Sequence, residues 1–229
     1  MPPAEHRNRK DARPMTGFAA RLRRATMSEH RDAETRGFIT RLLAGTVPLA
    51  GFAALTAQYR VIYGELEAAA GAMRHDPVAA AFADPALSRV AALESDLAHL
   101  YGPARATPEP LGATRRYADR LREHAHTSPA RFVAHHYVRY LGDLSGGQVV
   151  GRRVAATYGL GEAGTAFYRF DGIDDPRAYR TAYRARLDAL DLPDGELDTV
   201  IDEARLAFAL NTAIFQELGR AYPEDLAAA

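Results

Sequence analysis

Apolar residues recur along this chain at intervals of three and four, and that rhythm limits the fold more than any other feature. Over 48–70, Leu49, Phe52, Tyr59, Tyr63 and Leu66 share one helical face. Over 194–218, Leu197, Ile201, Ala204, Phe208 and Phe215 repeat the stripe, and Asn211 takes its one missing place. Further helices are expected at 17–34, 86–101, 113–126, 130–158 and 176–190, with a loop over 102–112. Pro77, Pro85, Pro103, Pro108, Pro110, Pro129, Pro176 and Pro193 fall between or at the edges of these segments, where proline punctuates helices. Strand patterning is confined to a short alternation at 166–170, AFYRF. The expected fold class is all-α, a single compact helical domain over 16–222. A disordered extension at 1–15 and a flexible tail at 223–229 flank it, with Met15 as an alternative start.

Composition narrows the function. The chain has 229 residues, enough for one domain with a sizeable core. Lys+Arg and Asp+Glu are equal at 29 each, so charge gives no argument for nucleic acid or a membrane surface. There is no cysteine, which excludes disulfides, thiolate metal sites and cysteine nucleophiles and fits a reducing cytoplasm. No apolar run approaches the roughly 20 residues that span a bilayer. The N-terminal MPPAEHRNRKDARPM lacks the apolar core of a secretory signal.

One helical segment breaks the rules of helix composition. Residues 132–151 read FVAHHYVRYLGDLSGGQVVG and hold Gly142, Gly146, Gly147 and Gly151. A mid-helix glycine costs up to about 1 kcal/mol relative to alanine. The cluster therefore marks a kink, a close approach of backbone to a flat ligand, or helix–helix contact. Asp143 sits inside it, either as a solvated surface group or as a carboxylate that orders water beside a ligand.

AHHYVRYLGDLSGGQ resembles the distal-helix signature of the heme oxygenases. ATMSEHRDAE resembles that family's proximal-helix motif. GFAALTAQYRVIYGELE, LESDLAHLYGP, AYRTAYRARL and EARLAFALNTAIFQEL match in order, so the resemblance covers roughly residues 16–220. It implies heme sandwiched between an N-terminal proximal helix and a kinked glycine-rich distal helix. It also implies ring opening at a meso carbon, with O₂ and electrons, to biliverdin, CO and ferrous iron. The meso carbon is left open.

The resemblance puts the iron ligand at His30. With no cysteine in the chain, histidine is the natural axial ligand. His135 and His136 are adjacent, so their side chains diverge by about 100° and cannot serve one site; they read as packing or surface residues. Glu34, one turn beyond His30, shares its face and is either an acceptor for the other imidazole N–H or a solvated carboxylate. The resemblance assigns the heme propionates to Arg23, Tyr137, Arg180 and Arg184. Arg23 and Arg180 stand where lysine is common in the family. It places Gly142, Gly146 and Gly147 against the heme and Asp143 in a proton-delivering water network with Arg139 and Tyr63. Phe208 and Asn211 fall near the distal pocket, where core packing is the plainer reading.

The electrons implied by this chemistry need a donor such as ferredoxin with its reductase or a flavoprotein reductase. The glycine segment follows a helix, so it is no dinucleotide fingerprint. The chain ends AYPEDLAAA without the apolar anchor of the family's membrane-bound members, so a soluble, cytoplasmic protein is expected. Two rival readings use the same residues. One is a non-catalytic heme carrier, which has no need of Asp143; the other is a cofactor-free interaction module, which gives no account of LGDLSGGQ.

Overall fold

The computed structural model describes residues 17–35, 37–103 and 108–224, without the side chains of Glu34 and Thr35. The extension at 1–15 and most of the tail at 223–229 lie outside the described residues. Eleven α-helical stretches occur among the described residues, and no strand. The all-α expectation therefore holds.

The N-terminal helix is divided. α1 (Phe18–Ala25) and α2 (Met27–Thr35) meet at Thr26, whose hydroxyl donates to the Leu22 carbonyl at 2.9 Å. That bond offers the chain an alternative to the regular ladder. α3 (Gly37–Ala44) was not expected; it buries Phe38 and Leu42, one turn apart. α4 (Leu49–Ala72) is the central helix, and every residue from Gly51 to Tyr59 is buried. A helix buried all round lies in the core, so its sequence stripe understates its burial.

α5 (Pro77–Ala80) and a 3-10 turn at Pro85–Leu87 are capped by Asp76 and Asp84. α6 (Val90–Tyr101) packs on α4 and ends at Gly102, where φ is +64°. α7 (Gly112–Arg120) runs into a π turn at Leu121–Ala125. α8 (Pro129–His136) starts at the Ser128 cap, passes through π turns at Tyr137–Leu141 and Asp143–Gly147, and continues as α9 (Gln148–Tyr158). α10 (Pro176–Asp188) and α11 (Asp194–Ala221) complete the chain, with α11 packed on α7, α8, α2 and α3.

Segment 166–170 is a 3-10 turn at Ala166–Tyr168, not a strand. Phe167, Tyr168 and Phe170 are all buried, so alternation has no exposed face to serve. Asp96 fixes the turn by accepting from the Ala166 and Phe167 amides at 2.7 and 2.8 Å.

Adjacent His135 and His136 are both buried packing residues. His135 Nε2 donates to Glu203 at 2.9 Å, and its Nδ1 faces the Tyr117 hydroxyl at 3.3 Å. Burial holds the imidazole below its usual pKa, against the pull of Glu203. Glu203 is pushed up by burial, but hydrogen bonds from Arg120 and His135 outweigh this and hold it at about 2. The pair is thus a neutral imidazole on an ionised carboxylate.

Candidate active site

A cavity of about 580 Å³ opens between α1–α2, the π-wound distal run, α10 and α11. That is the scale of a small-molecule or cofactor site. Its distal wall is built by two rows at helical spacing, Tyr137–Leu141–Ser145 and Val138–Gly142–Gly146. Two π turns wind this wall; such turns recur at functional sites because each widens the helix by one residue.

The four glycines divide into two kinds. A methyl group placed on Gly142 or Gly146 meets no protein atom within 4 Å. Both residues are exposed to the cavity, so protein packing does not require glycine there. The bare backbone instead leaves room for whatever fills the space. Gly151 is the opposite case, since a methyl there would stand 2.6 Å from Tyr168 Cβ. Gly147 is buried, and a methyl on it would touch Asp143 and Tyr168 at 3.5 Å, so it faces protein and not the cavity.

The opposite wall carries His30. Its ring meets Phe208 edge-on, with centroids 5.6 Å apart and planes at 76°. Phe208 is 8% exposed and lines the same cavity. Arg23, Thr26 and His30 fall in one row along α1–α2, and Met27 lies one turn before His30. The Glu34 side chain, expected behind His30, lies outside the described residues.

The cationic groups gather at this cavity. Arg23, Arg31 and Arg184 line it, and among the described residues no lining residue is acidic. Tyr137 lines it too; burial pushes its hydroxyl up, while Thr26, Arg23 and Arg184 pull it down. Arg180 departs from expectation. It stands outside the cavity wall and donates to the Leu144 carbonyl at 2.6 Å. Arg31 and Met27 were missed. The i−3 spacing to His30 marks Met27, whereas Arg31 carries no signal beyond adjacency to His30.

Behind the distal wall, four expected residues form one chain of hydrogen bonds. Arg139 Nη1 donates to Asn211 Oδ1 at 2.6 Å, and Arg139 Nε donates to the Tyr63 hydroxyl at 3.3 Å. The Tyr63 hydroxyl donates to Asp143 Oδ2. The Arg139 guanidinium also lies over the Tyr59 ring at 4.4 Å, a contact the sequence reading did not identify. Burial raises the Asp143 carboxyl to about 6, although Arg139 and the Tyr63 hydrogen bond pull it down. A carboxyl near neutrality can both hold and release a proton at physiological pH.

The cavity thus offers one imidazole, a wall with two bare glycines, and a positive, phenol-bearing lining. This fits a flat, apolar, metal-bearing ligand with anionic substituents.

Comparison with known proteins agrees. The heme oxygenase family model matches residues 16–217. Heme oxygenase 1 of Synechocystis sp. is 36% identical over 202 residues, covering 88% of this chain and 84% of the relative. The crystal structure of Synechocystis heme oxygenase-1 in complex with heme superposes with a TM-score of 0.85 at 35% identity, over 90% of this chain and 93% of that one. Heme oxygenase from Leptospira interrogans gives a TM-score of 0.83 at 34% identity, over 88% and 99%. The chain belongs to the heme oxygenase family.

Proposed function

We propose that this protein binds heme in the cavity and opens the ring at a meso carbon, giving biliverdin, CO and ferrous iron. One observation carries the reading: His30 lines the same cavity as Gly142 and Gly146, where a methyl group would meet no protein atom, and Tyr63 hydrogen-bonds Asp143 next to Gly142 in the chain.

Bound heme supplies the iron at which O₂ is reduced. The chain's own residues supply position and protons. The imidazole of His30 would hold the iron. Gly142 and Gly146 let backbone approach the ring plane. Arg23, Arg184 and the Tyr137 hydroxyl, which line the cavity, would hold the propionates; Arg180 is engaged with the Leu144 carbonyl and is not assigned there. Asp143, whose carboxyl titrates at about 6, can take up and release a proton, with Tyr63 donating to it and Arg139 fixing Tyr63. Asn211 anchors Arg139, and Phe208 packs His30. Gly147 acts by packing Asp143 and not by touching heme.

O₂ and electrons come from outside the chain, the electrons from ferredoxin with its reductase or from a flavoprotein reductase. Among the described residues no helix is long and apolar enough to cross a membrane. We place the protein in the cytoplasm, where such donors work. Hemin added to the protein should give a Soret band, and ascorbate under air should replace it with the absorbance of biliverdin. A Soret band that survives reduction under air would overturn the oxygenase reading in favour of a heme carrier.

A further inference from the structure

Helix α10 joins the two walls of the cavity. Its row Arg180–Arg184–Asp188 runs from one wall to the other. Arg180 donates to the distal Leu144 carbonyl, Arg184 lines the cavity, and Asp188 accepts from the Ala19 amide at 2.8 Å. The N-terminus of α1 has no cap of its own side chains, so α10 supplies one.

A second link is fully buried. His136 Nδ1 and the Tyr183 hydroxyl are 2.8 Å apart. Their rings stack with planes at 11° and centroids 5.8 Å apart. Tyr140, Phe132 and Phe82 enclose the imidazole. His136 immediately precedes Tyr137, and Tyr183 immediately precedes Arg184; both successors line the cavity. The pair therefore ties together the backbones that present the two groups expected to hold the anionic edge of the ligand.

We infer that His136 and Tyr183 are positioning residues, a joint that fixes Tyr137 relative to Arg184 and so sets the in-plane angle of the bound ring. The inference rests on the heme reading above. Neither residue touches the ligand. A buried hydrogen bond combined with a ring stack restrains both distance and rotation, whereas an apolar contact in its place would leave rotation free. Selectivity among meso carbons follows from that angle, because rotation of the ring in its own plane decides which carbon occupies the position that is attacked.

The test compares the wild-type protein, Tyr183→Phe and the double variant His136→Phe/Tyr183→Phe, each loaded with hemin. The double variant leaves no unpaired polar group, so it decides the question if the single variant folds poorly. Leu42→Ala serves as the control for stability alone, since Leu42 is buried on α3 and lines no part of the cavity. The readouts are the orientational forms of bound ferric heme, resolved by its methyl resonances in proton NMR, and the isomer distribution of biliverdin. Both joint variants should keep the Soret band, while their minor orientational form rises by about threefold to tenfold, the scale set by one lost hydrogen bond. The product isomers should shift in parallel, and Leu42→Ala should leave both ratios unchanged. Wild-type ratios in a folded joint variant, or an equal shift in Leu42→Ala, would overturn the joint. A wild-type protein without a Soret band fails one step earlier and removes the heme reading along with it.

Discussion

An aspartate with a shielded carboxyl inside a helix raises the free energy of its own charged form. Asp143 is such a residue, and the Tyr63 hydroxyl and Arg139 recover only part of that cost. Asp143→Asn keeps an acceptor for Tyr63 and removes the titrating proton. Hemin affinity and the Soret band should be retained, and biliverdin yield should fall by about 10²-fold, as expected when a placed proton-transfer group is lost. Single-turnover yields would check this, and a normal yield returns Asp143 to a packing role. His30→Ala should instead lose the wild-type Soret spectrum, with external imidazole restoring it; an unchanged spectrum removes His30 as ligand. At this scale the sequence was informative because the motifs it singled out come together: His30, Tyr137, Gly142, Gly146, Arg184 and Phe208 all line one cavity. Arg180, one turn or about 6 Å before Arg184 on the same row, is not among the cavity-lining residues and donates to the Leu144 carbonyl. Spacing gives direction around a helix but says little about what lies at each depth.

At the scale of elements, the glycines give opposite predictions within one helix. Gly146→Ala adds a methyl that meets no protein atom. The ligand-free protein should melt no lower than wild type, because alanine favours helix by up to about 1 kcal/mol. Hemin affinity should nevertheless fall by about tenfold, the effect of modest overpacking in an occupied site. Gly151→Ala should do the reverse. Its methyl collides with Tyr168, so the melting temperature should drop by several degrees, the equivalent of ~1–3 kcal/mol, while the folded fraction still binds hemin. Melting curves and hemin titrations on both variants would separate ligand clearance from protein packing; similar behaviour of the two would refute the division. Composition located this segment but not its winding. A change from i→i+4 to i→i+5 bonding leaves no mark in apolar spacing, so the three π turns were not legible. α3 was missed because it is only eight residues long, so that Phe38, Ile39, Leu42 and Leu43 mark barely one repeat of the helical period. AFYRF gave a false strand signal because buried aromatic residues at a 3-10 turn imitate alternation over so few positions.

Across the whole molecule, buried titratable groups set how acid affects folding, and they act in opposite directions. Burial pulls His136 down to about 3, with Arg186 adding to the effect. The unfolded imidazole titrates near 6.5. Between those values the unfolded chain binds a proton that the folded one does not, so the stability contributed by His136 is complete above about 6.5 and declines as pH falls toward 3. Glu203, held at about 2 in the fold, has the same sign in a lower window, from about 4.5 down to 2. Asp143 has the opposite sign. Its folded carboxyl titrates at about 6 and its unfolded one near 4, so its penalty is full above 6 and is relieved as pH falls through that range. Each such proton changes stability by about 1.4 kcal/mol per pH unit within its window. Asp143 therefore offsets much of the loss from His136 between pH 6 and 4, and below 4 nothing from Asp143 opposes His136 and Glu203. Denaturant unfolding of wild type and Asp143→Asn between pH 4 and 8 isolates this one group, because all others cancel in the difference. The variant should gain stability over wild type as pH rises from 4 to 6, and the gain should be constant above 6. A difference that is flat across the whole range would show that Asp143 titrates in the fold as it does in the unfolded chain. The carboxyl behind the Gly142 wall would then be solvated, without the shielding that brings its titration within reach of neutral pH.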